Sequence, residues 1–228
     1  GIDQTDPRSV DLVNNCFVAV CYQTMAKIAQ TLGKPNDQKL YESKTEQLRT
    51  LIHKTFYDSK EASYGTGTQI ELVYPMLAGV TPESQLSNLL NTLYKNTAER
   101  FRGHLATGLV GIPIITEWCI KNQQVNFMHQ MLKKRDYPSY LYMIDNGATT
   151  TWEHWNGERS HIHNCYNGIG TWFYQALAGI MPDEAHPGYK HVRISPQLAK
   201  GISWVKASKD EKKQTYKWNL EEMKKGSW

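Results

Sequence analysis

The sequence predicts a mainly α fold of successive antiparallel helical hairpins, followed by a short antiparallel β segment. Three observations predict it. Apolar residues recur at three- and four-residue steps through most of the first 135 positions. Short polar or Gly/Pro-containing connections separate those stretches, so consecutive helices must turn back on one another. Beyond about residue 182 the helical period gives way to alternation. No repeat of roughly 33–34 residues runs through the chain, which points to a toroid of helix pairs more than to a solenoid of consensus units.

The first helix is expected over Ser9–Leu32, where Val10, Val13, Phe17, Cys21, Met25, Ile28 and Leu32 form a stripe predicted to face the core. Gly33 and Pro35 stop it. A second begins after Asn36 and carries Leu40, Tyr41, Leu48, Leu51, Ile52 and Phe56. The polar stretch Asp58–Gly67 breaks the pattern. A third helix, Gln69–Leu77, is expected to be interrupted at Pro75 and to end near Gly79. Thr81-Pro82 starts a fourth, with Thr81 as cap and Pro82 at the first helical position, continuing through Leu86, Leu89, Leu90 and Leu93. A further pair is expected at Leu109–Lys121 and Val125–Lys134, and a last helix at Gly168–Ala178. Tyr189–Ile194, Ile202–Lys206 and Thr215–Asn219 read as short strands that must lean on the helices to be stable. The expected division is a helical portion, 1–182, and the start of a β-sandwich-like module, 183–228.

Composition narrows the function. With 40% apolar and 11% aromatic residues in 228, a disordered tail is excluded. Apolar runs such as Leu109–Ile115 are far shorter than the roughly 20 residues of a bilayer span, so no membrane partner is expected. The net charge of +4 comes from residues 200–228, which hold eight Lys against four acids. The remaining body is balanced, which argues against nucleic acid. Cys16, Cys21, Cys119 and Cys165 have no CxxC spacing and lie in apolar segments, as buried free thiols do. Motifs of the GxSxG, Walker and GxGxxG kinds are missing from the sequence, so nucleophile-elbow, NTPase and dinucleotide chemistry have no footing. No cofactor is expected. The compartment stays open, a periplasmic or secreted setting being slightly favoured over a cytoplasmic one.

Residues 136–166 break the helical rhythm and concentrate four Tyr, two Trp and three His among carboxylates and amides. Such a segment suits a ligand with flat apolar faces and many hydroxyls, which is the chemistry of a sugar; packing of a structural loop is the competing reading. Glu153, in Trp152-Glu153-His154-Trp155, can orient and deprotonate a water if it stays ionised, or can serve as a structural hydrogen-bond acceptor. Asp145, before Asn146-Gly147, reads as a turn former and is also a candidate sugar contact. His161 and His163 form an HxH pair, but no third ligand stands at a recognisable spacing, so no metal is expected. A histidine donating to a sugar hydroxyl or orienting Glu153 fits better. His104 either approaches the same pocket or caps a turn.

Four stretches resemble the catalytic region of the bacterial α-L-rhamnosidases, glycoside hydrolase family 78. They are Gly103-His104-Leu105-Ala106-Thr107-Gly108 with Gly111 and Pro113; Asp136-Tyr137-Pro138-Ser139 with Tyr142-Met143-Ile144-Asp145; Gly147 through Trp155; and His163 through Gly179. Their order and spacing match over about residues 9–208. The resemblance implies a part of an (α/α)6 barrel followed by a small antiparallel β domain. It also implies inverting hydrolysis of terminal α-L-rhamnosides, with rhamnose-containing glycosides or polysaccharides as partners. Glu153 matches the general base, His163 a histidine lining the rhamnose pocket, and Trp152 and Trp155 the flanking aromatic positions.

The family's general acid is a Glu in an Arg-Asp-Glu-Arg-type element in the earlier half of the barrel, and this chain has no such element. The expectation is therefore a fragment carrying the later half of the catalytic domain, able to associate with itself or with the half it lacks through apolar helix faces. A non-catalytic carbohydrate-binding remnant, another (α/α)6 glycosidase and a purely structural scaffold are the alternatives.

Overall fold

The structure, a computed structural model, describes residues 5–186, 188–209 and 214–219. The chain forms two compact units, Gly1–Trp118 and Cys119–Trp228.

The first unit opens with α1 (Pro7–Thr31) and α2 (Pro35–Phe56), which pack along one another. Asp6 caps α1 by accepting from the Arg8 N–H at 2.9 Å. Gly33, at φ +65°, ends it in the left-handed region that glycine adopts freely. The buried face of α1 shares only Val13 with the expected stripe. It is made of Ser9, Leu12, Val13, Cys16, Ala19, Ala26 and Ala29, while Phe17 (60% exposed) and Leu32 (64%) face outward with Met25 and Ile28. The helix is apolar on two adjacent faces. The small-residue face wins the core because it lets neighbouring backbones approach closely. On α2 Thr45 and Ile52 are buried, whereas Leu40 and Leu51 are exposed.

A two-stranded hairpin, β1 (Tyr57–Asp58) with β2 (Ser63–Tyr64), fills the polar connection. Then α3 (Gln69–Leu77) packs against α1 and against α4 (Glu83–Ala98). The start of α3 is a capping box: Glu71 reaches back to the Thr68 N–H (3.0 Å) and hydroxyl (2.7 Å), and also accepts from Thr66. Burial alone would raise the Glu71 pKa, but hydrogen bonds from Ser9, Thr68 and Thr66 outweigh it and keep the carboxyl below its ordinary value. Pro75 does not interrupt α3 as expected. It lies within the last turn, where its carbonyl accepts from Val80 N–H at 2.8 Å as the chain reverses at Gly79. The cap of α4 also shifts by one residue, to Pro82, which is extended at ψ 147°. After α4, Gln69 clamps the loop 104–106. It donates to the His104 carbonyl at 3.0 Å and accepts from the Ala106 N–H at 2.8 Å. The helix α5 (Gly111–Lys121) follows and crosses the division between the units.

The second unit contains α6 (Val125–Leu132) and a six-residue helix, α7 (Tyr140–Asp145), within a segment expected to be irregular. The expected helix at 168–178 is a composite: a 3-10 turn at Asn164–Ile169, a single α turn α8 (Gly170–Trp172), and a π turn at Phe173–Leu177. Gly179, at φ +67°, then reverses the chain into β3 (Ile180–Pro182), paired antiparallel with β4 (Val192–Ile194). β3 went unforeseen, and β4 is shorter than expected. β5 (Trp204–Lys209) pairs with β6 (Gln214–Asn219). β3 packs against the Phe173–Leu177 turn, and the segment after β4 is tied back to this unit. Ser195 N–H donates to Gly179 O (2.9 Å), Gln197 Nε2 to Ile120 O (2.8 Å) and Lys200 N–H to Asn126 Oδ1 (2.7 Å). Of the four free thiols, Cys16, Cys119 and Cys165 are buried and Cys21 is half-buried; burial pushes the Cys16 thiol up to about 12. Among the described residues no helix is long and apolar enough to cross a membrane.

Candidate active site

The scaffold for residues 148–163 is built from local capping. Ser139 caps α7 by accepting from the Tyr142 N–H at 3.0 Å. Asn146 and Gly147, at φ +87°, close its other end, and Ala148 N–H returns to Met143 O at 2.9 Å. The chain then forms an irregular hairpin with two backbone rungs, His163 N–H to Thr151 O (2.9 Å) and Glu153 N–H to Ser160 O (2.8 Å). Its tip turns at Gly157 (φ +79°), where an added Cβ would meet the Trp152 ring at 2.9 Å.

That hairpin fixes Glu153. Ser160 N–H donates to its Oε2 at 3.3 Å, and Arg159 Nη1 and His154 Nε2 lie 3.5 and 3.8 Å from its Oε1. The side chain is 25% exposed, so it is not sealed in a dry interior. Its pKa lies below the ordinary carboxylate value. The Ser160 N–H contributes most, burial opposes it, and the nearby His163, Arg159 and His154 side chains add to the lowering. Glu153 is therefore an anion at neutral pH, the state a general base requires.

The neighbouring aromatics have defined partners. Trp152 is buried, and His161 stacks on it at 4.8 Å between ring centroids. Trp155 stacks on Tyr166 at 4.0 Å and meets Tyr140 edge-on at 5.1 Å. Tyr140 O–H donates to Tyr166 O at 2.7 Å, and burial pushes the Tyr166 phenol up to about 12. The two residues of the HxH pair serve different ends. His161 Nε2 contacts Gly157 O at 2.7 Å, whereas His163 Nδ1 accepts from Cys165 N–H at 3.1 Å as it caps the 3-10 turn. With Nδ1 accepting, the neutral ring of His163 carries its proton on Nε2.

Glu153, Trp152, Trp155 and His163 thus share one loop system of the second unit. Asp145 stands at the end of α7, where Arg135 engages both carboxylate oxygens, Nε at 3.0 Å from Oδ2 and Nη2 at Oδ1. His104 is buried in the first unit. Two residues central to the electrostatics, Arg159 and Ser160, are absent from the sequence-derived candidates. The Gly157 turn was the available signal, since a hairpin reversing there sets 160 opposite 153.

Residues 1–177 match the family model of the bacterial alpha-L-rhamnosidase 6 hairpin glycosidase domain. The chain belongs to this family. An alpha-L-rhamnosidase of Alteromonas sp. (strain LOR) is 31% identical over 209 residues, covering 86% of this chain and 22% of that protein. One from Formosa agariphila is 30% identical over 199 residues, covering 82% of this chain and 21% of its own length. Among solved structures, the alpha-L-rhamnosidase of Dictyoglumus thermophilum superposes with a TM-score of 0.80 at 27% identity, over 89% of this chain and 23% of that one. The Streptomyces avermitilis alpha-L-rhamnosidase complexed with L-rhamnose gives 0.76 at 25% identity, over 85% and 19%. The chain spans about a fifth of the length of these rhamnosidases.

Proposed function

We propose that this chain supplies the general-base side of an inverting hydrolase of terminal α-L-rhamnosides. The observation that carries the reading is Glu153, an ionised and partly solvent-reaching carboxylate held in place by a backbone rung and an arginine. Glu153 takes a proton from a water as the water oxygen bonds to the anomeric carbon. The bond to the leaving oxygen breaks on the opposite face, and a carboxylic acid protonates that oxygen. No residue of this chain is assigned as that acid. His163, through its Nε2–H, donates to a sugar hydroxyl, and the half-buried indole of Trp155 borders the sugar, while buried Trp152 supports the hairpin through its stacking with His161. Asp145, with both oxygens engaged by Arg135, is assigned to fixing the end of α7.

The reading is supported by membership of the rhamnosidase family and by the L-rhamnose complex of the Streptomyces avermitilis relative. Proton NMR of a 4-nitrophenyl α-L-rhamnoside digest tests it, because that leaving group departs as a stabilised phenolate and needs no acid from the chain. The first sugar released is the β anomer if inversion operates; release of the α anomer first contradicts it. Saturable quenching of tryptophan fluorescence by L-rhamnose with no product at any enzyme concentration favours the carbohydrate-binding alternative instead.

A further inference from the structure

We propose that Asp183, His186 and His191 form a binding site for a divalent transition-metal ion of the zinc class, at the loop end of the β3–β4 hairpin. The ladder of that hairpin runs from Ile180↔Ile194 to Pro182↔Val192, and Asp183 N–H extends it by one step to His191 O at 3.2 Å. Asp183 and His191 are therefore cross-strand neighbours by construction. His186 is brought back to them by a turn in which its N–H donates to Asp183 O at 3.1 Å. The Asp183 carboxylate is further oriented by the Ala185 N–H on Oδ1 at 3.1 Å, which leaves Oδ2 as the shared acceptor. His186 Nδ1 sits 2.6 Å and His191 Nδ1 4.0 Å from that Oδ2, and one ligand atom from each of the three residues lies within 4.8 Å of the others. The two imidazoles face each other with centroids 3.8 Å apart.

A tetrahedral ion with bonds of about 2.0–2.2 Å holds its ligands roughly 3.3–3.5 Å apart. The present spacing brackets that value, so rotations of exposed side chains are enough to reach it. The donor chemistry selects the ion. Two imidazole nitrogens and one carboxylate oxygen suit zinc, nickel or copper, whereas calcium and magnesium require oxygen-rich shells. Three protein ligands leave a fourth position for water. This is the only such three-residue group among the described residues, and it shares no residue with the Glu153 loop. Sequence inspection directed at HxH passes over it, because its spacing is Asp-x2-His-x4-His.

The test is isothermal titration of the chain with zinc chloride, with visible absorption of the cobalt(II) form as a report of coordination. One equivalent is expected to bind, with a tetrahedral cobalt spectrum and a rise in the unfolding temperature. Replacing either imidazole, His186→Gln or His191→Gln, should weaken binding at least about tenfold, as losses at metal sites do, and the double variant should bind no equivalent. His161→Gln should keep the full equivalent. Both substituted histidines are exposed, so the variants should unfold at the wild-type temperature without zinc. Failure of the wild type to take up zinc, retention of the equivalent in the double variant, or equal affinity for calcium would each overturn the proposal.

Discussion

At Glu153 a carboxylate is held anionic by one backbone N–H and by positive charge, with burial working the other way. The sign of its pH behaviour follows. In the proposed role Glu153 acts deprotonated, so activity is expected to fall as pH drops through its pKa, which lies below the ordinary 4.5. Arg159→Gln removes one of the lowering charges, and the acid limb of kcat/KM should move to higher pH while the alkaline limb stays put. An unmoved acid limb would show that Arg159 does not act on this carboxyl. His163→Phe removes the Nε2–H donor and the cap on Cys165 N–H together, so it should weaken L-rhamnose binding and lower the unfolding temperature. His163→Asn keeps a capping acceptor, and should restore the temperature more than the affinity. Glu153 and His163 were legible as candidates because unusual residue types crowd one short stretch. Arg159 and Ser160 were not, because the backbone rung between Glu153 and Ser160 is what brings the Ser160 N–H and the Arg159 guanidinium to the carboxylate, and no side-chain pattern records it.

At the level of elements, two glycines carry the geometry around the helices. Gly179 has φ +67°, and an added Cβ would lie 2.1 Å from Pro196 N. A side chain there meets both left-handed strain and a backbone clash, so Gly179→Ala should destabilise the second unit by at least about 2 kcal/mol, seen as an earlier unfolding transition. Gly111 is crowded differently. Its conformation is ordinary, but an added Cβ would fall 1.6 Å from Thr107 Oγ1, a buried side chain. The helices α1 to α6 were legible because each runs long enough to repeat its apolar pattern and is bounded by Gly, Pro or polar residues. α7 was not, since six residues make fewer than two turns and show no period. The π turn at Phe173–Leu177 is likewise invisible to a pattern read at 3.6 residues per turn.

At the scale of the molecule, the choice of face on α1 matters most. Period alone could not separate the Ala/Ser/Cys face from the Phe17–Leu32 face, because both recur at helical spacing; packing volume decided it. The outward face leaves Phe17, Met25, Ile28 and Leu32 on α1, and Leu40 and Leu51 on α2, in contact with solvent. Apolar patches of this kind promote association. Sedimentation should show a weight-average mass rising with concentration. Phe17→Ser with Leu32→Ser should suppress the rise at little cost in stability, since both side chains are largely exposed. A monomer at all concentrations would show that the patch is inert. Within the Lys-rich end, residues 210–213 and 220–228 lie outside the described residues.

Steady-state hydrolysis of 4-nitrophenyl α-L-rhamnoside, whose leaving group departs without an acid, by the wild type and by Glu153→Gln is the most direct measurement. The substitution preserves shape and replaces the anionic carboxylate with a neutral, non-basic amide. A fall in kcat of about 10²–10⁴ with KM nearly unchanged is the predicted result. A variant that turns over as fast as the wild type would show that another group draws the proton from water.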